Sequence, residues 1–522
     1  MNRQKGRSWG RMALGSALAL ALSLTGCTAK SDSGDEKSIS PSAQATAAVS
    51  AKPQQKLEPV TLTWYLPVAE VQNDLSSVEA AANKILQEKL NVTLKLVMFD
   101  YGSYNQKMQL KAASGEEFDL AFSSYSWLNK YPDGVSKGMF VELDQLLAKY
   151  APEYYASIPE KYWDAARING KIYGALNYQV YASGKGFIVQ KALADKYGLD
   201  YKNVTSLQQV EDFLVKIKAG EPNITPFGID KLGLTDLNSF GKNQKENWDM
   251  IRAHLGLKLG DNSFKLQTLD DQEYRTDFEA NIKKIRQWYE KGFMRKDVAS
   301  VQNLNQELAG GKYAMWTATY KPGGDVELSA KLGFEVVQFQ YMKPMATAGS
   351  IMSTLTTISK TSKNPERAMM LLNLVNTDKE LYNLLAYGIE NKHYKKEADG
   401  TVSKVEGGGY WPNISWAMGN QFNAYIIRGM SPTVWEETKK YNEEAVVSPL
   451  VGFNADVESL KSVIANVNAV NDEMKSSLYT GTVDPAQYLP QYYDKLHKAD
   501  PEGKIRSEIQ KQLDQWVTAN KK

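Results

Sequence analysis

Hydrophobic and polar residues begin to alternate regularly after residue 59. Over residues 60–66, threonines alternate with apolar Leu62 and Trp64, which is typical of a strand with one buried face. Apolar residues then recur on one face of a predicted helix, at Val78, Ala82, Ile85, Leu86 and Leu90. Further along, the pattern gives a strand at 91–99, a helix at 104–114 and a strand at 118–122. This β-α-β-α-β order predicts a parallel sheet with right-handed crossovers.

The same two patterns continue through the rest of the chain. They predict helices at 144–150 and 277–291, turns that feed strands at 169–174 and 310–316, and a strand at 334–339. Asn364-Pro365 and Asp484-Pro485 each combine a capping side chain with a first-turn proline, so both predict helix starts. Asp399-Gly400 predicts a type I′ turn in a hairpin over 395–405. From residue 431 onward the pattern is mainly helical.

The amino terminus has the pattern of an export signal. A basic stretch precedes an apolar run from Met12 to Leu24, which is shorter than the roughly 20 residues needed to cross a bilayer. The run ends in Leu24-Thr25-Gly26-Cys27, which resembles the bacterial lipobox, whose cysteine becomes the first mature residue and carries lipid on its sulfur. We therefore expect residues 1–26 to be a lipoprotein signal peptide and Cys27 to anchor the protein at the extracellular face of the cell membrane. A plain signal peptide with an incidental cysteine is the alternative.

Composition narrows the functional classes. Residues 27–59 are rich in Ser, Ala, Thr and Lys with few large apolar side chains, so they predict a flexible tether. The 522 residues include 62 Lys and Arg against 60 Asp and Glu, a balance that gives no bias toward nucleic acid. Cys27 is the only cysteine, so no intramolecular disulfide can form. Aromatic residues, at 11% of the chain, are the one notable excess.

Several short motifs occur in a characteristic order. They are Phe118-Asp119-Leu120, the run Asn169-Gly170-Lys171-Ile172-Tyr173-Gly174, the run Gly311-Lys312-Tyr313-Ala314-Met315-Trp316, and Asn364-Pro365-Glu366-Arg367-Ala368. With the lipobox, this order resembles family 1 of the extracellular solute-binding proteins, the maltose-binding-like branch of bacterial ABC importers. The tail, including residues 419–423 and 481–485, is similar to LipO/LplA-like lipoproteins with their own C-terminal domain.

The resemblance implies a two-lobed α/β fold of the type II periplasmic-binding-protein kind. It implies mostly parallel sheets flanked by helices and a mainly helical C-terminal region. We expect an N-terminal lobe from 60–176 and 348–392, a C-terminal lobe from 177–347, and a hairpin and helical region, 393–522, that completes the second lobe. The family's usual task is to capture an oligosaccharide between the lobes and deliver it to the membrane subunits of an ABC permease, and we expect a monomer.

Sugar binding requires aromatic rings for the C–H faces and polar side chains for the hydroxyls. Such side chains should follow strand ends or lie where the chain crosses between lobes. The predicted ligand-binding residues are Gln72, Ser124, Tyr125, Trp127, Asn177, Tyr178, Gln179, Trp316, Tyr320, Trp411, Trp416 and Asn420. For the tryptophans, ordinary packing in the core is the alternative.

The sequence offers little support for catalysis. His254, His393 and His497 are isolated, and the HExxH and GxSxG motifs are absent, so we predict no catalytic residue, cofactor or metal site. We therefore expect a binding protein and not an enzyme. Two alternatives stay open: a surface polysaccharide-degrading enzyme with paired carboxylates, and a binding protein or sensor for a peptide or other non-sugar solute.

Overall fold

The computed structural model describes residues 57–252 and 254–520. The predicted signal peptide, Cys27 and residues 28–56 of the predicted tether lie outside the described residues. Within the described ranges, no helix is both long enough and apolar enough to span a bilayer.

The helices and strands follow the predicted order. The first third contains β1 (Val60–Val68), α1 (Leu75–Leu90), β2 (Val92–Asp100), α2 (Tyr101–Ser114), β3 (Leu120–Ser123), α3 (Tyr131–Ser136), α4 (Asp144–Tyr150), α5 (Pro152–Ser157), α6 (Glu160–Trp163), β4 (Arg167–Ile168), β5 (Lys171–Ile172) and β6 (Gly174–Leu176). The middle contains β7 (Ser183–Gln190), α7 (Lys191–Tyr197), α8 (Leu207–Gly220), β8 (Thr225–Gly228), β9 (Trp248–Arg252), β10 (Leu255–Lys258), α9 (Gln272–Glu290), α10 (Asn305–Leu308), β11 (Tyr313–Tyr320), α11 (Gly324–Leu332) and β12 (Val336–Ala346). The last third contains α12 (Ala348–Ile351), β13 (Leu355–Ile358), α13 (Pro365–Thr377), α14 (Lys379–Tyr387), β14 (Tyr394–Lys396), β15 (Val402–Lys404), α15 (Val434–Glu444), β16 (Val446–Val447), α16 (Lys461–Tyr479), α17 (Pro485–Ala499) and α18 (Lys504–Asn520).

Two five-stranded sheets form the centres of two lobes. Their strand orders are β2-β1-β3-β13-β6 in the first lobe and β16-β12-β7-β11-β8 in the second. The α/β class is as predicted, but the sheets are mixed and not mostly parallel, because half of the pairings in each sheet are antiparallel. All four antiparallel pairings involve β13 or β7. These are the two strands with which the chain enters one lobe from the other, so each runs opposite to its neighbours.

The hairpin of β14 and β15 forms where predicted, but its turn differs from the prediction. A type I′ turn needs positive φ at both central residues, and of Asp399 and Gly400 only the glycine has it, with φ 82°. The Asp399 carboxylate instead accepts bonds from the backbone N–H and the hydroxyl of Thr401, at 3.0 and 2.7 Å. These bonds stabilise a five-residue loop over residues 397–401.

The C-terminal segments divide between the two lobes. Tyr394, Val402 and Ile414 pack in the hydrophobic cluster of the first sheet, which differs from the expectation that 393–522 completes the second lobe. By contrast, α16 and α17 pack on α9, with Leu478 and Leu489 against its apolar face. Helix α18 packs on β10. The hairpin belongs to the first lobe because its apolar residues complete the hydrophobic core of that lobe. The local sequence pattern does not show with which core these residues pack.

Three crossing segments connect the lobes: residues 177–182, residues 347–354, and α15. Asn442 of α15 is 1% exposed and makes three hydrogen bonds to the first segment. Its Oδ1 accepts from the backbone N–H groups of Tyr181 and Ala182 at 2.8 and 3.0 Å, and its Nδ2 donates to the Gln179 carbonyl at 2.8 Å. The Gln179 side chain in turn donates to two hydroxyls in residues 353–354. One asparagine therefore binds the first and third segments together.

We expect Asn442→Ala to lower the free energy of unfolding by about 2–4 kcal/mol, because it leaves two buried N–H groups without acceptors. Asn442→Asp is the comparison variant, since it keeps an oxygen that can accept from both N–H groups and removes only the donor to the Gln179 carbonyl. Urea denaturation measures the difference. An alanine variant as stable as the wild type would contradict this account.

His254 joins the second lobe to the C-terminal helices. Its Nε2 lies 2.6 Å from the Tyr492 hydroxyl on α17, and that hydroxyl donates to Asn471 on α16. Burial lowers the pKa of His254 to about 4, with a further contribution from the positive charge of Lys475. The unfolded chain therefore binds a proton at this histidine at higher pH than the folded protein does.

This difference makes the fold less stable as the pH falls from about 6.5 to about 4. The expected loss from His254 over that window is about 3 kcal/mol. His254→Asn should reduce the loss, since asparagine tolerates the backbone φ of 58° at this position. His497→Asn, at an exposed position on α17, should leave the loss unchanged. Thermal unfolding across pH tests this, and equal pH profiles for wild type and His254→Asn would disprove it.

Candidate functional site

An exposed group of aromatic rings lies on the first lobe beyond the end of β3. Trp127 is 48% exposed, and its ring lies 5.2 Å from Tyr101 and 6.2 Å from Trp416. Phe122 lies beneath both tryptophans, with ring centres 6.3 and 5.8 Å away. The structure thus brings together the predicted site residues Trp127 and Trp416, which are 289 positions apart in sequence. We call Tyr101, Trp127 and Trp416 the aromatic platform.

A tight turn after β3 holds Trp127 in place. The Ser124 hydroxyl accepts from the backbone N–H groups of Trp127 and Leu128 at 3.0 and 2.8 Å and donates to the Leu128 carbonyl at 3.1 Å. Ser124 is 2% exposed, so its hydroxyl is fully used within the turn. The structure gives Ser124 a positioning role and not the predicted direct contact with a ligand.

Tyr125 of the same turn faces the second lobe. Its backbone N–H donates to Met352 in the second crossing segment at 2.8 Å. Burial raises the pKa of Tyr125, the Asp249 carboxylate raises it further, and the Arg252 guanidinium lowers it. Both charged residues belong to β9 of the second lobe, so β9 lies opposite the turn that carries Trp127. We infer that a cleft between the lobes lies on this side of the first lobe.

The loop after β1 adds polar atoms to the first lobe. The Gln72 side chain accepts from the Trp411 backbone N–H at 2.7 Å and donates to the Glu70 carbonyl at 2.8 Å. The Trp411 ring lies 5.0 Å from Tyr387. Gln72 and Trp411 are both predicted site residues. The structure connects them through the hydrogen bond from the Trp411 backbone to the Gln72 side chain.

Asp74 fixes the end of this loop. It binds Lys392 at 2.5 Å and the buried His393 Nε2 at 2.8 Å. His393 Nδ1 accepts from the Ile389 backbone N–H, so Nε2 carries the proton and donates. The hydrogen bond from Lys392, with those from Ser77 and His393, holds the pKa of Asp74 well below its usual range.

The predicted residues at the crossing segments are used mainly within the protein. Asn177 and Gln179 are 2% and 7% exposed, and Gln179 bonds to Ser353 and Thr354. The Tyr178 ring packs 4.7 Å from Phe422. The other two positions have similar roles: Tyr320 packs 5.6 Å from the Tyr441 ring, and the Asn420 side chain accepts from the Phe422 backbone N–H at 3.1 Å.

Trp316 does not lie in the cleft, which corrects the prediction. It is 2% exposed and packs with Ile188, Leu308 and Val336 in a hydrophobic cluster of the second lobe. The prediction followed from its position near the presumed end of a strand, but β11 continues to Tyr320. The side chain therefore points into the core from the middle of the strand.

Sequence reasoning missed a cavity of about 240 Å³ in the second lobe. Its lining residues include Lys185, Asp236, Lys242, Asn247, Trp248 and Met342. The full lining comes from five separate parts of the chain with no shared motif. The one sequence feature that could have indicated this cavity is Trp248, an aromatic residue beside the polar residues 242–247.

Within residues 57–252 and 254–520, no three His, Cys, Asp or Glu side chains lie close enough together to hold a metal ion.

Known proteins resemble the chain over most of its length. The sequence profile described as bacterial extracellular solute-binding protein matches residues 69–382. A carbohydrate ABC transporter substrate-binding protein of Streptococcus pneumoniae is 30% identical over 87% of this chain and 90% of its own length. The chain belongs to the bacterial extracellular solute-binding protein family. A second profile, a domain of unknown function (DUF3502), matches residues 449–518, which include α16, α17 and most of α18.

Solved structures of the family agree with the two-lobed fold. The N-glycan transport solute-binding protein NgtS of Streptococcus pneumoniae is 28% identical, with a TM-score of 0.78 over 89% of this chain and all of that chain. The complex of NgtS with Man5GlcNAc gives a TM-score of 0.66 over the same shares. The alginate-binding protein AlgQ2, at 16% identity, has a TM-score of 0.57 over 88% of this chain and 98% of its own, and so supports the fold alone.

We expect Trp316→Ala to destabilise the protein by about 3–5 kcal/mol, because it leaves a large cavity in a closed hydrophobic cluster. Ligand affinity of the folded fraction should stay the same. Differential scanning calorimetry measures the first effect and titration calorimetry below the melting temperature measures the second. A variant with unchanged stability but weaker binding would place the side chain in the cleft.

Proposed function

We propose that the protein is the substrate-binding subunit of an ABC importer for oligosaccharides. It captures a saccharide between its lobes and delivers it, chemically unchanged, to the membrane subunits of a permease. The observation that carries the proposal is the aromatic platform, since Trp127 is 48% exposed and lies beside Trp416 on the surface of the first lobe. Such rings suit the apolar faces of a sugar.

The relatives support the ligand class. The Streptococcus pneumoniae relative is described as a carbohydrate transporter component, and NgtS structures are described with Man1GlcNAc and Man5GlcNAc. We infer that the ligand here is also an oligosaccharide. These relatives are transport proteins and not enzymes, which favours binding over the polysaccharide-degrading alternative. No observation in the described residues specifically favours a peptide ligand.

Closure of the lobes supplies the mechanism. The platform holds the sugar on the first lobe, and β9 of the second lobe covers it when the crossing segments bend. A ligand shifts this equilibrium only by its preference for the closed arrangement. NgtS gives a TM-score of 0.78 where its description mentions no ligand, but 0.69 and 0.66 in the two saccharide complexes. All three are structures of NgtS, so the difference reflects conformation, which supports a conformational change on saccharide binding.

The proposed location of the protein rests on the sequence of its amino terminus. Lipid on Cys27 would hold the protein at the extracellular face of the cell membrane, and residues 27–59 would give it reach to the permease. The matching family is described as extracellular, which agrees with this side of the membrane. We further propose that the protein works as a monomer, with each copy presenting its own closed cleft.

We expect Trp127→Ala to weaken oligosaccharide binding about tenfold, through the loss of stacking of about 1.4 kcal/mol. The change should barely alter the melting temperature, because the side chain is half exposed. Tyr488→Ala, at an exposed aromatic position on α17, is the control and should bind normally. Titration calorimetry against mannose-, glucose- and N-acetylglucosamine-containing oligosaccharides measures both. Absence of binding to every saccharide, or the appearance of new reducing ends, would refute the proposed function.

A further inference from the structure

The hairpin formed by β9 and β10 has one open face and one packed face, because alternate residues of a strand point to opposite sides. On the open face, Trp248 and Met250 of β9 line the second-lobe cavity, and Met250 is 41% exposed. On the packed face, Leu255 and Leu257 of β10 are buried in a hydrophobic cluster, and Ile251 of β9 packs against it. The β9–β10 hairpin is therefore a thin wall between the cavity and that cluster.

The packed face is covered by residues 449–518, which match the domain of unknown function and which we call the DUF3502 region. Phe453, Leu460, Ile509 and Leu513 supply its side of the cluster. Ile509 and Leu513 lie four residues apart on one face of α18, and both are fully buried. A two-stranded hairpin has little stability of its own, so these contacts supply much of the burial that holds it.

Gln510 of α18 adds a polar attachment between the DUF3502 region and the chain that follows β10. Its Oε1 accepts from the Leu266 backbone N–H at 2.8 Å, and its Nε2 donates to the Phe264 carbonyl at 3.0 Å. Both ends of one amide thus bind the same short stretch of backbone. This stretch is therefore fixed relative to α18.

Gln267 extends this attachment to the open face of the hairpin. It exchanges two backbone hydrogen bonds with Gly256 of β10, at 2.8 and 3.1 Å. Gly256 pairs in turn with Met250 of β9. The two residues are in close contact, because a Cβ atom at Gly256 would lie 2.7 Å from the Met250 sulfur. A continuous series of contacts therefore connects α18 with the exposed Met250.

The turn of the β9–β10 hairpin is attached to the DUF3502 region as well. His254 has a backbone φ of 58°, which is uncommon for a residue other than glycine. Its ring packs against Tyr274, Phe278 and Tyr492, and its Nε2 lies 2.6 Å from the Tyr492 hydroxyl on α17. The DUF3502 region therefore holds the hairpin at its turn and along its packed face.

We propose that the DUF3502 region positions the β9–β10 hairpin as the second-lobe wall of the ligand cleft, with Gln510 as a positioning residue. Gln510 contacts no ligand; it acts through the surface that Met250 and the exposed Arg252 form on β9. A binding surface needs such supporting contacts, since affinity depends on its being held in the right geometry beforehand. This inference rests on the proposed function, because it assumes that a saccharide occupies the cleft that β9 covers.

Gln510→Ala and Gln512→Ala form a matched pair for the test. Gln512, on the same helix, accepts from the backbone N–H of Asp456 at 2.8 Å and donates to its carbonyl at 2.9 Å. Both glutamines are half-buried, and each also donates to an acidic side chain four residues away. The two substitutions should lower the melting temperature by similar amounts, but only Gln510→Ala releases the chain beside the hairpin.

Hydrogen–deuterium exchange on the purified protein without ligand measures whether the hairpin is held by Gln510. The backbone amides of β9 and β10 should exchange about tenfold faster in Gln510→Ala than in Gln512→Ala, because lost hydrogen bonds make local opening easier. Equal exchange of these amides in the two variants would overturn the proposal.

Titration calorimetry with maltotriose, mannotriose and N,N′,N″-triacetylchitotriose measures whether this positioning serves binding. For each trisaccharide that binds the wild type, Gln510→Ala should bind at least about threefold more weakly, well below its melting temperature. Gln512→Ala should bind as tightly as the wild type. A region that only stabilises the fold would leave the affinity of both variants unchanged, and that result would also overturn the proposal.

The outcome separates this inference from the proposed function. If Trp127→Ala weakens oligosaccharide binding while Gln510→Ala does not, the positioning role is wrong and the carbohydrate-binding role stands. If no oligosaccharide binds the wild type, the proposed function fails, and this inference fails with it.

Discussion

Three hydrogen bonds from one buried side chain hold the crossing region of this protein together. Asn442 of α15 binds the backbone of residues 179–182, and Gln179 binds the second crossing segment. The three segments therefore form one layer, and independent movement of any of them would break buried polar contacts. In the proposed closure, the two sheets would be the bodies that move, with bending at the short stretches on either side of that layer.

The same constraint separates residues that hold the lobes from residues that meet a ligand. Inside the crossing layer, the buried Gln179 side chain donates to Ser353 and Thr354, whereas the buried Asn177 keeps an Nδ2 without a partner among the described residues. By contrast, Trp127 on the surface of the first lobe keeps an exposed ring. We propose that the stacking surface on the first lobe takes part in ligand recognition.

Helices and strands were predicted correctly where a periodic apolar pattern coincided with residues that typically begin or end them. Helix α17 begins at Pro485 with Asp484 capping the Ala486 N–H, as its sequence indicated. The prediction failed where the end of an element depended on its neighbours. Strand β11 continues to Tyr320 because residues 315–320 pair with β7, and so Trp316 lies in the core and not at a strand end.

The sequence by itself determined the α/β class, the order of helices and strands, the aromatic excess and the family resemblance, because periodicity, caps and motifs are local properties. Tertiary structure alone decided that the entering strands β7 and β13 run antiparallel, that the hairpin at 394–404 joins the first lobe, and that Trp127 meets Trp416. These features depend on contacts between residues that are far apart in the chain, and no local pattern carries that information.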